Sequence, residues 1–102
     1  FGGWTPLYYA AFAGHLEAGR LLLDRGARLD AVDAGGETPL FYAIEGGHPE
    51  MVRLMVERGA NVNHRNNKGE PPLAIAAEYK QSGIADYLKS RGAKQAAGLE
   101  SP

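Results

Sequence analysis

An internal period of 33 residues governs this chain. Trp4-Thr5-Pro6-Leu7 returns as Glu37-Thr38-Pro39-Leu40 and again as Glu70-Pro71-Pro72-Leu73, and the period does not drift. Gly14-His15 returns as Gly47-His48, Arg25-Gly26-Ala27 as Arg58-Gly59-Ala60 and Arg91-Gly92-Ala93, and Gly3 as Gly36 and Gly69. Self-similarity at such a period marks a stack of small units, each too small to bury its own apolar face. Three units follow, 4–36, 37–69 and 70–102, within one domain spanning 1–102, and residues 1–3 read as the remainder of an upstream turn.

Each unit reads as helix, tight turn, helix, loop. Thr5 and Thr38 are expected to cap a helix through the hydroxyl, and the proline that follows suits the first helical position, where its missing N–H would be unpaired anyway. After Gly47, His48 takes the cap position, Pro49 starts the second helix, and Glu50 adds a negative charge where the helix dipole favours it. In that helix Met51, Val52, Leu54, Met55 and Val56 leave polar room only at Arg53 and Glu57, which implies burial on most sides. Gly26, Gly59 and Gly92 supply the positive φ that ends each second helix. Helices of about nine residues are shorter than the roughly 12–15 that an isolated helix needs in water, so neighbouring units must stabilise one another.

These motifs resemble the ankyrin repeat family: Thr5-Pro6-Leu7, Gly14-His15-Leu16-Glu17, Leu21-Leu22-Leu23 and Gly26-Ala27 in unit one, with Gly59-Ala60-Asn61-Val62-Asn63 in unit two. The resemblance implies an all-α solenoid of three helix-turn-helix units joined by short turn or hairpin loops. The histidine of the family's Thr-Pro-Leu-His is replaced by Tyr8, Phe41 and Ala74, so its threonine-to-imidazole hydrogen bond is lost and aromatic packing is expected in its place. In unit three Pro71 replaces the threonine and Lys80-Gln81 replaces Gly-His, which predicts the loosest of the three units.

Equivalent positions distinguish the two ends. Leu23 and Val56 become Lys89, Leu29 and Val62 become Gln95, and Leu21 and Leu54 become Tyr87, so unit three reads as a polar terminal cap. Unit one shows no such switch. Its amino-terminal face is expected to be covered by another repeat, a capping helix or a second copy of the chain, with Gly19 admitting the close approach of that neighbour's backbone.

Charge and motifs narrow the function. With 11 basic and 12 acidic residues the chain lacks the bulk positive charge that binding a phosphate backbone requires, so nucleic acid is not an expected partner. There is no cysteine, and no stretch approaches the roughly 20 apolar residues of a membrane helix, so the chain reads as soluble with no membrane partner. No phosphate loop, nucleophile elbow or carboxylate pair appears. His15 and His48 recur in phase and read as structural, His64-Arg65-Asn66-Asn67 reads as a turn, and no ligand set for a metal or cofactor emerges. An enzyme is not indicated.

The resemblance instead implies a protein–protein interaction scaffold that binds a protein partner on the concave face of turn tips and first helices. Carried over by position, the partner-binding residues are Phe1, Trp4, Phe12 and Val32 in unit one, Glu37, Glu45 and Arg65 in unit two, and Lys68, Glu70, Glu78 and Tyr79 at the third unit. Trp4 and Phe12 are the expected anchors, since aromatics are enriched at binding hot spots. The acidic set Glu37, Glu45, Glu70 and Glu78 would share the same face and suit a basic patch. The alternative is a regulatory or structural fragment of a larger multidomain protein.

Overall fold

The computed structural model describes residues 3–95, and among them there are six helices and no strand. They are α1 (Pro6–Ala13), α2 (Leu16–Asp24), α3 (Pro39–Glu45), α4 (Pro49–Glu57), α5 (Pro72–Glu78) and α6 (Ser82–Ser90). The helices starting at Pro6, Pro39 and Pro72 form one row, α1 packing on α3 and α3 on α5. A second row runs α2, α4, α6, and each first helix also packs on the second helix of its own unit. Stacking in one direction gives an elongated body of 42 × 26 × 21 Å. None of the helices is long and apolar enough to cross a membrane.

The repeat explains the packing. Leu7, Leu40 and Leu73 stand at one position in the three units and are all buried, as are Ala10, Ala43 and Ala76, whose small side chains let the helices approach closely. Burial is most complete in the middle unit. Leu40, Phe41, Ala43 and Ile44 on α3 and all five apolar residues expected on α4 are buried, because this unit has a neighbour on either side.

The helix ends also repeat. The amides of Ala27, Ala60 and Ala93 donate back to the carbonyls of Leu22, Met55 and Leu88 at 2.9–3.0 Å, across Gly26, Gly59 and Gly92 at φ of 93°, 103° and 93°. The first helices close in the same way: His15, His48 and Gln81 donate to Ala10, Ala43 and Ala76. The intervening residue is Gly14 at φ 75°, Gly47 at φ 74° and, in unit three, Lys80 at φ 57°, a left-handed conformation that L residues adopt only at a cost.

Two expectations are corrected here. Neither Thr5 nor Thr38 caps its helix through the hydroxyl. The amide that such a hydroxyl would accept from is already taken by the backbone, since Tyr8, Phe41 and Ala74 donate to the carbonyls of Thr5, Thr38 and Pro71 at 3.0–3.1 Å. Proline at position 71 therefore starts α5 as well as threonine would. Gly19, in turn, does not face outward from unit one. It is buried against α4, where a Cβ would lie 2.9 Å from Met51 Cε, so the close neighbour is unit two's own methionine.

Candidate functional site

The loops before α3 and α5 are each organised by an Asx residue three places before a glycine. Asp33 Oδ1 accepts from the amides of Gly35 and Glu37, both at 3.0 Å, while the Gly36 amide donates to the Asp33 carbonyl at 2.9 Å. Asn66 repeats this in the next loop. Its Oδ1 accepts from the amides of Lys68 and Glu70, and the Gly69 amide donates to its carbonyl. The turn thus centres on Asn67 and Lys68, which corrects the expected turn at 64–67. His64 lies before it, with Nε2 donating to the Gly36 carbonyl at 2.9 Å and its ring edge-on to Phe41.

The tips are joined to each other. Asn67 donates its amide to the Gly35 carbonyl at 3.0 Å and its Nδ2 to the Ala34 carbonyl at 2.9 Å. Further back, His48 Nε2 donates to the Phe12 carbonyl at 2.9 Å, which is the physical role of the recurrent Gly-His.

Trp4 sits in an aromatic cluster. Its ring lies 5.8 Å from Tyr8, 4.8 Å from Tyr9, 6.2 Å from Phe12 and 4.7 Å from Tyr42, and its Nε1 donates to Asp33 Oδ2 at 3.2 Å. The Tyr42 hydroxyl donates to the same Oδ2. Asp33 therefore ties the first loop, α1 and α3 together. Burial alone would raise its carboxyl, but the hydrogen bonds from Tyr42, the Glu37 amide, Trp4 and the Gly35 amide outweigh that and hold it below the ordinary value. Burial, aided by the neighbouring Asp33 and Glu37 charges, pushes the Tyr8 phenol up. Burial and the hydrogen bond to Asp33 do the same for Tyr42. The buried Tyr8 hydroxyl lies 2.7 Å from the carbonyl oxygens of both Ala31 and Glu37, its one proton shared between them, so it replaces the missing histidine by hydrogen bonding as well as by packing.

The predicted residues fall into two rows. Trp4, Glu37 and Glu70 occupy one repeat position, at the loop side, and Phe12, Glu45 and Glu78 occupy another, near the ends of the first helices. Asn66 Nδ2 draws Glu37 and Glu70 together, donating to Glu37 Oε2 at 2.9 Å and Glu70 Oε1 at 3.0 Å. Glu45 is half-buried, and that burial, with the charges of Glu37, Glu78 and Asp33 nearby, pushes its carboxyl up to about 7. The adjacent Glu45 charge is likewise the main cause that raises the Tyr79 phenol.

Phe12 and Tyr79 leave 48% and 45% of their surface in water, and Val32 leaves 51%. Arg65 and Lys68 are exposed on the second loop, and neither pairs with the four glutamates. Among the described residues the ion pairs are Arg20–Glu17, Arg28–Asp30 and Arg58–Asp24, all elsewhere. Phe1 lies outside the described residues.

Sequence reasoning missed Asp33, Tyr42 and Asn66. The signal for two of them was present, since Asp33 and Asn66 stand one period apart, each three residues before a recurrent glycine. Among the described residues no group of three or more His, Asp or Glu side chains is placed to hold a metal ion.

Residues 28–97 match the family described as "Ankyrin repeats (3 copies)", and residues 2–34 match "Ankyrin repeat". A comparison with curated proteins found no match.

Proposed function

We propose, since the chain belongs to the ankyrin repeat family, that it binds a protein partner through the concave face made by its turn tips and first helices. Ankyrin repeats generally mediate protein–protein interactions and are generally non-catalytic. The observation that carries the reading to this face is the pair of half-exposed rings Phe12 and Tyr79, one on the first helix of unit one and one just past the first helix of unit three. Large exposed rings on an otherwise well-packed surface supply contact area at low ordering cost. Trp4 serves as the rigid support behind Phe12, held by Asp33 and by its stacking partners. The loop-to-loop hydrogen bonds fix the surface before a partner arrives, so little rearrangement is needed on binding.

Affinity capture with the wild-type chain and with a Phe12→Ala, Tyr79→Ala variant tests this. The expected outcome is a protein retained by the first and lost by the second while circular dichroism of the two coincides. Equal retention of the same protein by both would remove the face from consideration.

A second reading, in which the chain is a regulatory or structural part of a larger multidomain protein, is favoured by the outward side of unit one. Leu21, 53% exposed, repeats Leu54, which packs beside Gly19 of the preceding unit, and His15 repeats the His48 that bonds Phe12. Covering this side with a further unit should raise thermal stability, and an unchanged melting temperature would argue against it.

A further inference from the structure

Resting on the concave-face reading above, we propose that the partner presents an extended segment in which an apolar side chain meets Phe12 and two basic side chains, three and six residues further on, meet Glu45 and Glu78. The face changes character from one end to the other. At the repeat position occupied by Phe12 in unit one, units two and three carry Glu45 and Glu78, and at the position of Trp4 they carry Glu37 and Glu70. An aromatic end thus adjoins a field of four carboxylates, none of which is paired with a lysine or arginine among the described residues. The face is stable in this form without a cation, since the structure holds Glu37 and Glu70 on Asn66 rather than on a basic side chain.

Charge complementarity fixes the chemistry of the occupant, and the stacking distance fixes its spacing. Helices that pack side by side lie about 10 Å apart. An extended chain in the polyproline II conformation rises about 3.1 Å per residue with three residues per turn, so every third side chain points to the same face and lies about 9 Å further on, roughly one first helix to the next. Arginine or lysine at those steps would meet Glu45 beside the Tyr79 ring, where the carboxylate and an aromatic surface both attract a cation. A basic side chain there also relieves the crowding of Glu45 by Glu37, Glu78 and Asp33. Neutral and acidic segments gain nothing at these two steps.

Random linear peptides displayed on phage and selected on the wild-type chain test the proposal. The expected result is enrichment of an apolar residue followed by Arg or Lys three and six positions later. A synthetic copy of the enriched peptide should lose about tenfold in affinity on the Glu45→Gln, Glu78→Gln double variant, with a similar loss in high salt. Enriched peptides lacking basic residues, or peptides bound equally well by the double variant, would overturn it. If such peptides still fail to bind the Phe12→Ala, Tyr79→Ala variant, the concave-face reading stands and only the basic partner falls; if they bind that variant as well, both fall. A selection that enriches nothing over a protein-free control also overturns the proposal, and the affinity capture described above then judges the parent reading separately.

Discussion

Replacing Glu45 by glutamine should stabilise the chain, and by an amount that depends on pH. In the folded protein the Glu45 carboxyl titrates at about 7 rather than at its ordinary 4.5, so folding disfavours the ionised form. Taken in full, that displacement corresponds to roughly 3 kcal/mol. Water reaches the half-buried carboxylate and screens its neighbours, and about 1 kcal/mol is the reasonable net cost at pH 8. The sign follows from linkage. The folded state holds this proton more tightly than the unfolded one, so the associated stability is fully present below 4.5 and is lost as pH rises through 7. Glutamine has no proton to lose. The advantage of Glu45→Gln should therefore be about 1 kcal/mol at pH 8, or about 4 °C in Tm for a domain of this size, and should shrink by more than half at about pH 4.5, the ordinary carboxyl value. Thermal unfolding followed by circular dichroism at the two pH values measures both terms. An advantage independent of pH, or a variant less stable than wild type at pH 8, would refute the reasoning.

Three further outcomes follow from particular positions. Lys80→Gly should raise stability by about 0.5–1 kcal/mol in urea unfolding, because Lys80 at φ 57° occupies the place of Gly14 and Gly47, and the strain removed exceeds the extra freedom of the unfolded glycine. Gly36→Ala should cost about 2–4 kcal/mol in the same assay, since φ is 76° and the new methyl would collide with the Asn67 side chain and disturb its bonds to the preceding loop. His48→Ala should lose about 1 kcal/mol with its bond to the Phe12 carbonyl, whereas His15→Ala, exposed and without such a bond among the described residues, should change the urea midpoint little.

Much of the architecture can be read from residues one period apart, and the reason is physical. Pro6, Pro39 and Pro72 each begin a helix because proline at that place costs no hydrogen bond, and Gly26, Gly59 and Gly92 each end one because the chain must turn left-handed there. Local rules of this kind act within a few residues. Thr5 and Thr38 misled because a hydroxyl and a backbone carbonyl compete for one amide, and the sequence is the same whichever wins. Gly19 misled because the neighbour of a helix face is set by the translation between units, which brings Met51 against it from 32 positions away. The site divides in the same way. Phe12, Tyr79 and the glutamates were visible as positions the core does not use. The period marks Asp33 only as the counterpart of Asn66; its importance comes from Trp4, 29 residues earlier, and Tyr42, 9 residues later, meeting on one oxygen.

The bonds from Asn67 to Gly35 and Ala34 have a consequence for motion. Surface loops are ordinarily where backbone amides trade hydrogen for deuterium fastest. Here the Asn67 amide, at the tip of an exposed turn, is locked onto the loop before it and cannot open unless two units separate. Its exchange should therefore report the parting of the first and second turns, slowing as the whole array tightens, so that a nominally peripheral amide becomes a gauge of cohesion along the stack.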